Sequence, residues 1–471
     1  MKKRRILWVL GILLLAGAGV AAALFLTNRR DVTTSSQAAY EAFQQAQLDR
    51  SRFSFKEARV GYAKALELDP NFAMAMLNLA EMSADRDQAV TLMRRAARQR
   101  DRLTPRERYH VDIATANVDG KRDVALKLAT ELHQTYPADV LGAKILSDNA
   151  IIRGDRDEAI RINQELLAVD PNNAEAYNLI GYFYGYRGDY QRAIDNLEKY
   201  RFISRDNPNP FDSLGENQAY AGHYNEAIEN LNRALAIRAD FGVAYEHLGV
   251  VYEGMGDFSK AVAMYERAAT FDDIIETDKR SMLMAALRAA LNGGDRQTAL
   301  NLLDQIGKMP VDPKSDYAVF GPDLLTVVRD LLEDRPVDAE RRLNAVKPKV
   351  ETRFAEYQKV GRIPAGIKPH FPEWNYAMAR ALEKQGKTDE ALAFYELNAN
   401  PPNPFYAFTD RRWIMEARAK VAEIVARKGD LDRAEKLIAE NRKWNPSWAP
   451  CRPSEEVVAE LRRAKVLAAS K

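Results

Sequence analysis

The chain contains very little cysteine and histidine, and this scarcity excludes several kinds of site. Its 471 residues include one cysteine, Cys451, and five histidines. A single cysteine can neither form an intramolecular disulfide nor supply a cysteine-based metal site. The histidines lie far apart in the sequence, at His110, His133, His223, His247 and His370. We therefore expect packing or surface roles for them and predict no metal site.

Motifs for catalysis are also missing. The sequence has no phosphate-binding loop, no His-Glu-x-x-His, no Gly-x-Ser-x-Gly and no dinucleotide-binding fingerprint. Gly181, Gly185 and Gly188 stand close together, but they follow no predicted strand, so helix packing and a turn account for them. We predict a protein that is not an enzyme, with no catalytic residues and no cofactor.

The balance of charge gives no reason to expect nucleic-acid binding. The formal net charge is +2, and residues 1–31 alone contribute +5, from six basic residues against Asp31. The rest of the chain therefore carries −3. A nearly neutral, slightly acidic body lacks the basic surface that nucleic acid requires, so we predict no nucleic-acid partner.

One long hydrophobic run occurs, at the N-terminus. A basic tail, residues 1–5, precedes Ile6–Thr27, which contains no charged side chain. A helix of that length spans roughly 33 Å, enough to cross a bilayer core. We predict an uncleaved transmembrane signal anchor, with a linker at residues 28–37. A cleaved signal peptide ending near Ala21-Ala22-Ala23 is the competing interpretation.

The charges that flank this run predict its orientation. More basic residues precede the run than follow it, so we expect a cytoplasmic N-terminus in a single-pass inner-membrane protein. The remaining chain would then be periplasmic or otherwise extracytoplasmic. The only Asn-x-Ser/Thr sequence, Asn445-Pro446-Ser447, contains a disqualifying proline, and this favours a bacterial periplasm.

An internal repeat dominates the rest of the sequence. Five alanines recur at one constant interval, at Ala125, Ala159, Ala193, Ala227 and Ala261. Each repeat has two apolar stretches at helical spacing, separated by a glycine and a polar residue such as Gly188-Asp189. Equivalent alanines at less regular steps are Ala58, Ala89, Ala299, Ala339, Ala391 and Ala434. A helical pair cannot bury its apolar face alone, so we expect the pairs to stack.

This pattern resembles the tetratricopeptide repeat (TPR) family of the membrane-anchored bacterial type. The resemblance implies an all-α fold, a TPR-like α-solenoid in which helical pairs form a right-handed superhelix, preceded by one N-terminal transmembrane helix. We predict a solenoid at residues 38–310 with a regular block at 106–273. Divergent pairs with proline-rich loops, at Gly361–Pro372 and Asn398–Asp410, would occupy 311–450. A capping helix would occupy 451–471.

The resemblance also implies a partner-binding groove, because TPR proteins usually bind ligands along the first helices of their pairs. We assign the groove residues of this chain by their positions within each repeat. They are Lys144, Asp148, Asn178, Tyr182, Tyr186, Asp212, Ser213, Glu216, Tyr220, Glu246, His247 and Glu253. Their aromatic and acidic character predicts a partner segment that carries Lys or Arg. The alternative is that they are ordinary solvated polar residues.

Three functions fit these features. The first is a protein-binding scaffold or adaptor, held at the inner membrane through residues 6–27. The second is a sensory or regulatory module that acts with separate signalling proteins, since Asp206–Gly215 resembles TPR regions attached to bacterial serine/threonine kinases. The third places an unrecognised enzyme in residues 311–450, where the repeat is weakest.

Overall fold

The computed structural model describes residues 31–469, apart from positions 53, 84, 272–275, 314, 360–362, 364–367 and 402–410. The predicted tail 1–5, the predicted span 6–27 and the first part of the predicted linker lie outside these residues. So do most of the two predicted proline-rich loops. Within the described ranges every regular element is a helix, and no strand occurs. The prediction of an all-α helical repeat solenoid is confirmed, whereas its handedness stays a prediction.

The chain divides into two compact units between Leu128 and Ala129. The helices of the first unit are α1 (Gln37–Ser51), α2 (Phe55–Leu68), α3 (Ala73–Glu81), α4 (Arg86–Ala97), α5 (Pro105–Val118) and α6 (Arg122–Thr135). The unit boundary lies within α6. Two buried carboxylates hold the chain that precedes α1. Glu107 accepts hydrogen bonds from the amide and hydroxyl of Thr33, and Asp69 accepts one from the hydroxyl of Thr34.

The second unit is also built from successive helical pairs. The helices that build its regular block are α7 (Val140–Ile152), α8 (Arg156–Val169), α9 (Ala174–Arg187), α10 (Tyr190–Ile203), α11 (Pro208–Ala221), α12 (Tyr224–Ile237), α13 (Gly242–Met255) and α14 (Phe258–Ala268). The later helices are α15 (Glu276–Asn292), α16 (Arg296–Gly307), α17 (Tyr317–Leu332), α18 (Pro336–Lys359), α19 (Pro372–Lys384), α20 (Thr388–Ala399), α21 (Arg411–Arg427), α22 (Leu431–Trp444) and α23 (Arg452–Ala469).

The repeat alanines occupy one position in every pair. Each of the predicted alanines, from Ala58 to Ala434, is the fourth residue of the second helix of its pair. All except Ala89, which is partly buried, are 0–3% exposed. A methyl group at this position allows the two helices of a pair to approach closely, since a larger side chain would overpack the contact.

In three successive pairs of the regular block, a glycine on the first helix contacts a large side chain on the second. A Cβ atom on Gly215 would lie 2.8 Å from Cγ of Leu231, and one on Gly249 would lie 2.6 Å from the ring of Tyr265. Both distances are shorter than real Cβ contacts allow. The glycines therefore leave the space that the large side chains fill.

The first helices of the regular pairs end at glycines with positive φ. Gly188, Gly222 and Gly256 have φ of 79°, 83° and 89°, a left-handed conformation that glycine adopts without steric cost. Each glycine thereby ends one helix, and a new helix begins two positions later. The constant length of the repeat places these turns along one edge of the block.

The C-terminal helices pack against that edge. Asn445, which is 3% exposed, donates through Nδ2 to the carbonyl oxygen of Ala219 and accepts from the hydroxyl of Tyr224. Trp444 lies against Gly188, and Ala449 lies against Gly256. The segment that follows α22, together with the end of that helix, thus covers three successive turns of the regular block.

The predicted location in the inner membrane needs correction. Ile6–Thr27 is outside the described residues, and among those described no helix is both long and apolar enough to cross a membrane. The longest of them, α18, has 24 residues but carries charges along its length, including Asp338 and Lys359. Such charges are costly in a bilayer core. The prediction of a single-pass inner-membrane protein is therefore not supported.

Candidate functional site

The first helices of the regular pairs lie side by side and bring distant polar residues together. α9 contacts α11, and α11 contacts α13. The hydroxyl of Tyr182 in α9 donates to a carboxylate oxygen of Glu216 in α11 at 2.7 Å. The same hydroxyl lies 3.3 Å from Oγ of Ser213. A contact between two successive repeats is therefore made by side chains of the predicted groove.

His247 of α13 joins this group from the next repeat. Its Nδ1 lies 2.9 Å from Oδ1 of Asp212, and its Nε2 lies 3.6 Å from Oε1 of Glu216. Burial lowers the pKa of His247, but the charges of Asp212 and Glu216 outweigh it and raise the pKa to about 10. The imidazole is therefore protonated at neutral pH. We call Tyr182, Asp212, Ser213, Glu216, Glu246 and His247 the tyrosine–carboxylate cluster.

The cluster has a buried base and an accessible rim. Asp212, Ser213 and His247 are 1%, 0% and 9% exposed, whereas Tyr182, Glu216 and Glu246 are partly exposed, the Glu216 side chain to 16%. Burial raises the pKa of Glu246, an effect that the charge of His247 partly offsets. With three carboxylates against one imidazolium, the cluster is acidic when all of them are ionised.

Tyr186 extends the accessible rim beside Tyr182. The rings of Tyr182 and Tyr186 have centroids 6.1 Å apart, and Tyr186 is 38% exposed. Burial, with the charge of Glu216, raises the pKa of Tyr186 to about 12. Asn178 and Tyr220 are half-buried on the same helices, α9 and α11. Tyr186 therefore adds a second aromatic ring beside Tyr182, and Asn178 and Tyr220 stay predicted groove residues.

The cluster contains a serine, a histidine and an aspartate, but they are not arranged for nucleophilic catalysis. In such an arrangement the histidine accepts the proton of the serine hydroxyl. Here Nδ1 of His247 faces Asp212, Nε2 faces Glu216, and Oγ of Ser213 lies 3.3 Å from the hydroxyl of Tyr182. In the part of the chain that the structure describes, no group of His, Cys, Asp and Glu side chains is placed to hold a metal ion.

Three of the predicted groove residues lie apart from the cluster. Lys144 and Asp148 in α7 form an exposed ion pair with each other at 3.0 Å. Glu253 in α13 is fully buried and accepts two hydrogen bonds from Arg288, at 3.0 and 2.8 Å. The hydroxyl of Tyr265 also donates to Glu253, at 3.0 Å. Glu253 therefore holds helices together and does not face a groove.

The sequence did not point to the arginines near this surface. Arg288 stands about one repeat after Glu253, but Arg412 stands several repeats farther along the chain. Nη1 of Arg412 lies 3.8 Å from Oε2 of Glu253, and the charge of Arg412 also acts on Glu246. Arg412 stands just after a proline-rich stretch, where no repeat offset could have indicated its position.

Several solved structures are similar to the chain. MamA is similar over 34% of this chain and 92% of its own, at 27% identity and a TM-score of 0.29. A tetratricopeptide repeat protein from Parabacteroides merdae is similar over 59% of this chain and 95% of its own, at 15% identity and a TM-score of 0.35. The APC/C hetero-tetramer Cut9–Hcn1 is similar over 90% of this chain and 76% of its own, at 14% identity and a TM-score of 0.46.

The family models give the more direct result. No curated protein matches the chain. Residues 163–195 and residues 243–273, in contrast, each match a tetratricopeptide repeat model. Both segments fall within the regular block, and the helical pairs of that block show the alanine and glycine packing described above. These two segments of the chain are therefore similar to tetratricopeptide repeats.

Proposed function

We propose that this chain is a non-enzymatic scaffold or adaptor that binds a partner protein through the tyrosine–carboxylate cluster. Tetratricopeptide repeats generally mediate protein–protein interactions. The observation that carries the proposal is the hydrogen bond from Tyr182 to Glu216, which fixes an aromatic ring beside a carboxylate on neighbouring first helices. Part of each side chain remains exposed, 16% in the case of Glu216, so a partner segment can reach them.

The chemistry of this surface favours a partner segment that carries Lys or Arg. A guanidinium or ammonium group near Glu216 and Glu246 would gain electrostatic energy, and the rings of Tyr182 and Tyr186 would add cation–π attraction. The buried base supports this selectivity because Asp212 orients His247 at 2.9 Å, and His247 in turn pairs with Glu216 at 3.6 Å. An extended or helical segment could lie across α9, α11 and α13.

The neighbouring Arg412 gives an internal example of the same recognition. Its guanidinium lies among acidic side chains of α13, 3.8 Å from Glu253. A first helix of this chain thus already receives an arginine from another helix. A partner arginine at Glu216 would form the same kind of ion pair on α11, at a more exposed carboxylate.

The test is a crosslinking pulldown that compares the native chain with the double variant Tyr182→Ala/Glu216→Lys. We expect a defined set of proteins to be captured by the native chain and lost by this variant. The matched control is Phe202→Ala/Glu198→Lys, which makes the same kinds of change on exposed positions of α10. The control should capture the same proteins as the native chain.

Two results would contradict the proposal. Equal capture by the native chain and the cluster variant would show that partners bind elsewhere. Loss of capture by both double variants would show that the charge change itself, and not the cluster, controls binding. Far-UV circular dichroism of each variant confirms that the helices remain formed.

A further inference from the structure

Three exposed cations lie over aromatic rings at equal positions of three successive helical pairs. The contacts, measured to the ring centroids, are Lys199 over Tyr177 at 5.4 Å, Arg233 over Phe211 at 5.9 Å and Arg267 over Tyr245 at 5.8 Å. Each ring is the fourth residue of a first helix, and each cation is the tenth residue of the second helix of that pair. Because equal pairs stack in the same way, the three cations form a line along the regular block, which we call the cation row.

The identities of these residues, and not the repeat alone, create the row. In the preceding pair, α7 and α8, the equivalent positions hold Ala143 and Glu165. Glu165 forms an ion pair with Arg161 of its own helix. The line of positive charge therefore begins only at Lys199.

The cations of the row have no ion-pair partner among the described residues, in contrast to similar side chains nearby. Arg192 and Lys260 also lie over tyrosine rings, at 5.5 and 5.3 Å. However, Arg192 pairs with Asp189 at 3.4 Å, and Lys260 pairs with Asp257 at 2.7 Å. Within the described part of the chain, no such carboxylate neutralises the charges of the row.

The rings restrain the cations of the row without neutralising them. A cation over a ring face is attracted by the ring quadrupole, so each of these side chains is held near the surface before any partner binds. Less side-chain entropy is then lost on binding. Arg233 and Arg267 also keep the planar fork of N–H donors that matches the geometry of a carboxylate.

We infer that the cation row binds an acidic segment of a partner protein through its Asp or Glu carboxylates. The axes of the second helices that carry neighbouring cations are at least roughly 8–10 Å apart, the separation of packed helices. An extended segment advances roughly 3.3 Å per residue, so carboxylates about three or more positions apart would reach successive cations. The inference goes beyond the proposed function and does not depend on the tyrosine–carboxylate cluster, which favours a partner of the opposite charge.

The charges around the row favour a protein segment over nucleic acid. Asp195 and Glu229 are exposed one turn before Lys199 and Arg233, on the same helix faces. A nucleic-acid duplex carries one negative charge every roughly 1.7 Å, so its phosphates would meet these carboxylates as well as the cations. Widely spaced carboxylates of a protein segment would contact the cations and leave Asp195 and Glu229 in water.

The test is the affinity of the full chain for a labelled peptide in which Gly and Ser residues separate the glutamates, followed by fluorescence anisotropy at constant salt. We expect saturable binding of this peptide, and no binding of the same peptide with glutamine in place of glutamate. Lys199→Gln/Arg233→Gln should weaken binding about fivefold, the effect of losing two exposed ion pairs. Adding Arg267→Gln should weaken it further.

The matched control is Arg192→Gln/Lys260→Gln, which also removes one arginine and one lysine from above tyrosine rings. It should bind the acidic peptide as the native chain does. Glu216→Gln should bind this peptide at least as tightly as the native chain, so failure of this inference and failure of the proposed function are distinguishable. Far-UV circular dichroism checks that the helices of each variant remain formed.

The inference is overturned if the acidic peptide and its glutamine form bind alike, or if Lys199→Gln/Arg233→Gln binds as the native chain does. Equal loss of affinity in the control would also overturn it, because net charge and not the row would then be responsible. Single-stranded RNA or anionic lipid vesicles are the remaining comparison. If either binds more tightly than the acidic peptide and is lost in the row variant, the row is assigned to that ligand and not to a protein segment.

Discussion

The hydroxyl of Tyr182 donates to the carboxylate of Glu216 in the next repeat, at a distance of 2.7 Å. The two residues are separated by the length of one repeat, so both side chains are the ninth residue of a first helix. The stacking of equal helical pairs places equal offsets side by side. The repeat itself therefore creates the contact, and only the identities of the two residues make it aromatic and acidic.

Removing this hydroxyl should destabilise the second unit. Tyr182→Phe leaves the half-buried Glu216 without its hydrogen-bond donor, at an expected cost of about 1–2 kcal/mol in the free energy of unfolding. Urea unfolding followed by circular dichroism measures the change. Phe202→Ala is the control, because this side chain is 72% exposed and its loss should cost little. Equal effects of the two replacements would contradict this role for Tyr182.

The charge of His247 should make stability depend on pH. The pKa of His247 in the folded chain, about 10, is above the ordinary value of 6.5. The imidazolium therefore contributes its full stabilisation below about pH 6.5 and loses it as the pH rises through 10. The difference in unfolding free energy between the native chain and His247→Gln should shrink over this range. His223→Gln, at an exposed histidine, should show no such trend.

An unchanged difference across this pH range would mean that His247 is neutral in the folded chain. Nuclear magnetic resonance titration of the imidazole provides the direct check. We expect its resonances to remain those of the protonated form well above the ordinary pKa of histidine.

The glycines of the first helices should tolerate no side chain. Gly215→Ala would place a Cβ atom 2.8 Å from Leu231, so the helices of that pair must separate or Leu231 must leave its position. We expect a loss of about 1–3 kcal/mol, as for other overpacked cores. Ala193→Leu should cost a similar amount for the same reason. Gly307→Ala is the control, since no atom lies within 4 Å of its Cβ position.

Thermal unfolding of the two glycine variants tests this prediction. The account predicts a clearly lower Tm for Gly215→Ala and little change for Gly307→Ala. A Tm for Gly215→Ala within the error of the native value would show that the pair can rearrange without cost.

The buried ion pair of Glu253 should matter more than an exposed one. Glu253→Gln leaves Arg288 beside a neutral amide, and breaking a buried pair in this way costs roughly 3–5 kcal/mol. Glu198→Gln removes an exposed pair with Arg201, for which roughly 0–1 kcal/mol is expected. Urea unfolding of the two variants gives the comparison. Similar losses of unfolding free energy in both variants would show that burial does not increase the stabilisation that Glu253 provides.

The periodic part of this structure could be predicted from the sequence. The alanines from Ala58 to Ala434 all occupy the fourth position of a second helix, as their alignment implied. The offsets also led to Tyr182, Glu216 and His247, which the structure brings together. The repeat positions predict these contacts correctly because each repeat contacts its neighbours in the same way.

The contacts that break the period could not be predicted. Asn445 meets Tyr224, and Arg412 meets Glu253, although several repeats separate the members of each pair. A repeat fixes only contacts between neighbours, so it contains no information about a C-terminal segment that packs against earlier turns. For the same reason Glu253 has the offset of a groove residue but lies in a buried ion pair.

The central claim is that the tyrosine–carboxylate cluster selects a basic partner segment. The most direct measurement is the affinity of the full chain for a labelled peptide with several arginines, followed by fluorescence anisotropy at constant salt. The account predicts that Glu216→Gln weakens binding at least tenfold, that Glu198→Gln leaves it unchanged, and that a peptide with glutamate in place of arginine does not bind. Equal binding by the native chain and Glu216→Gln would contradict it.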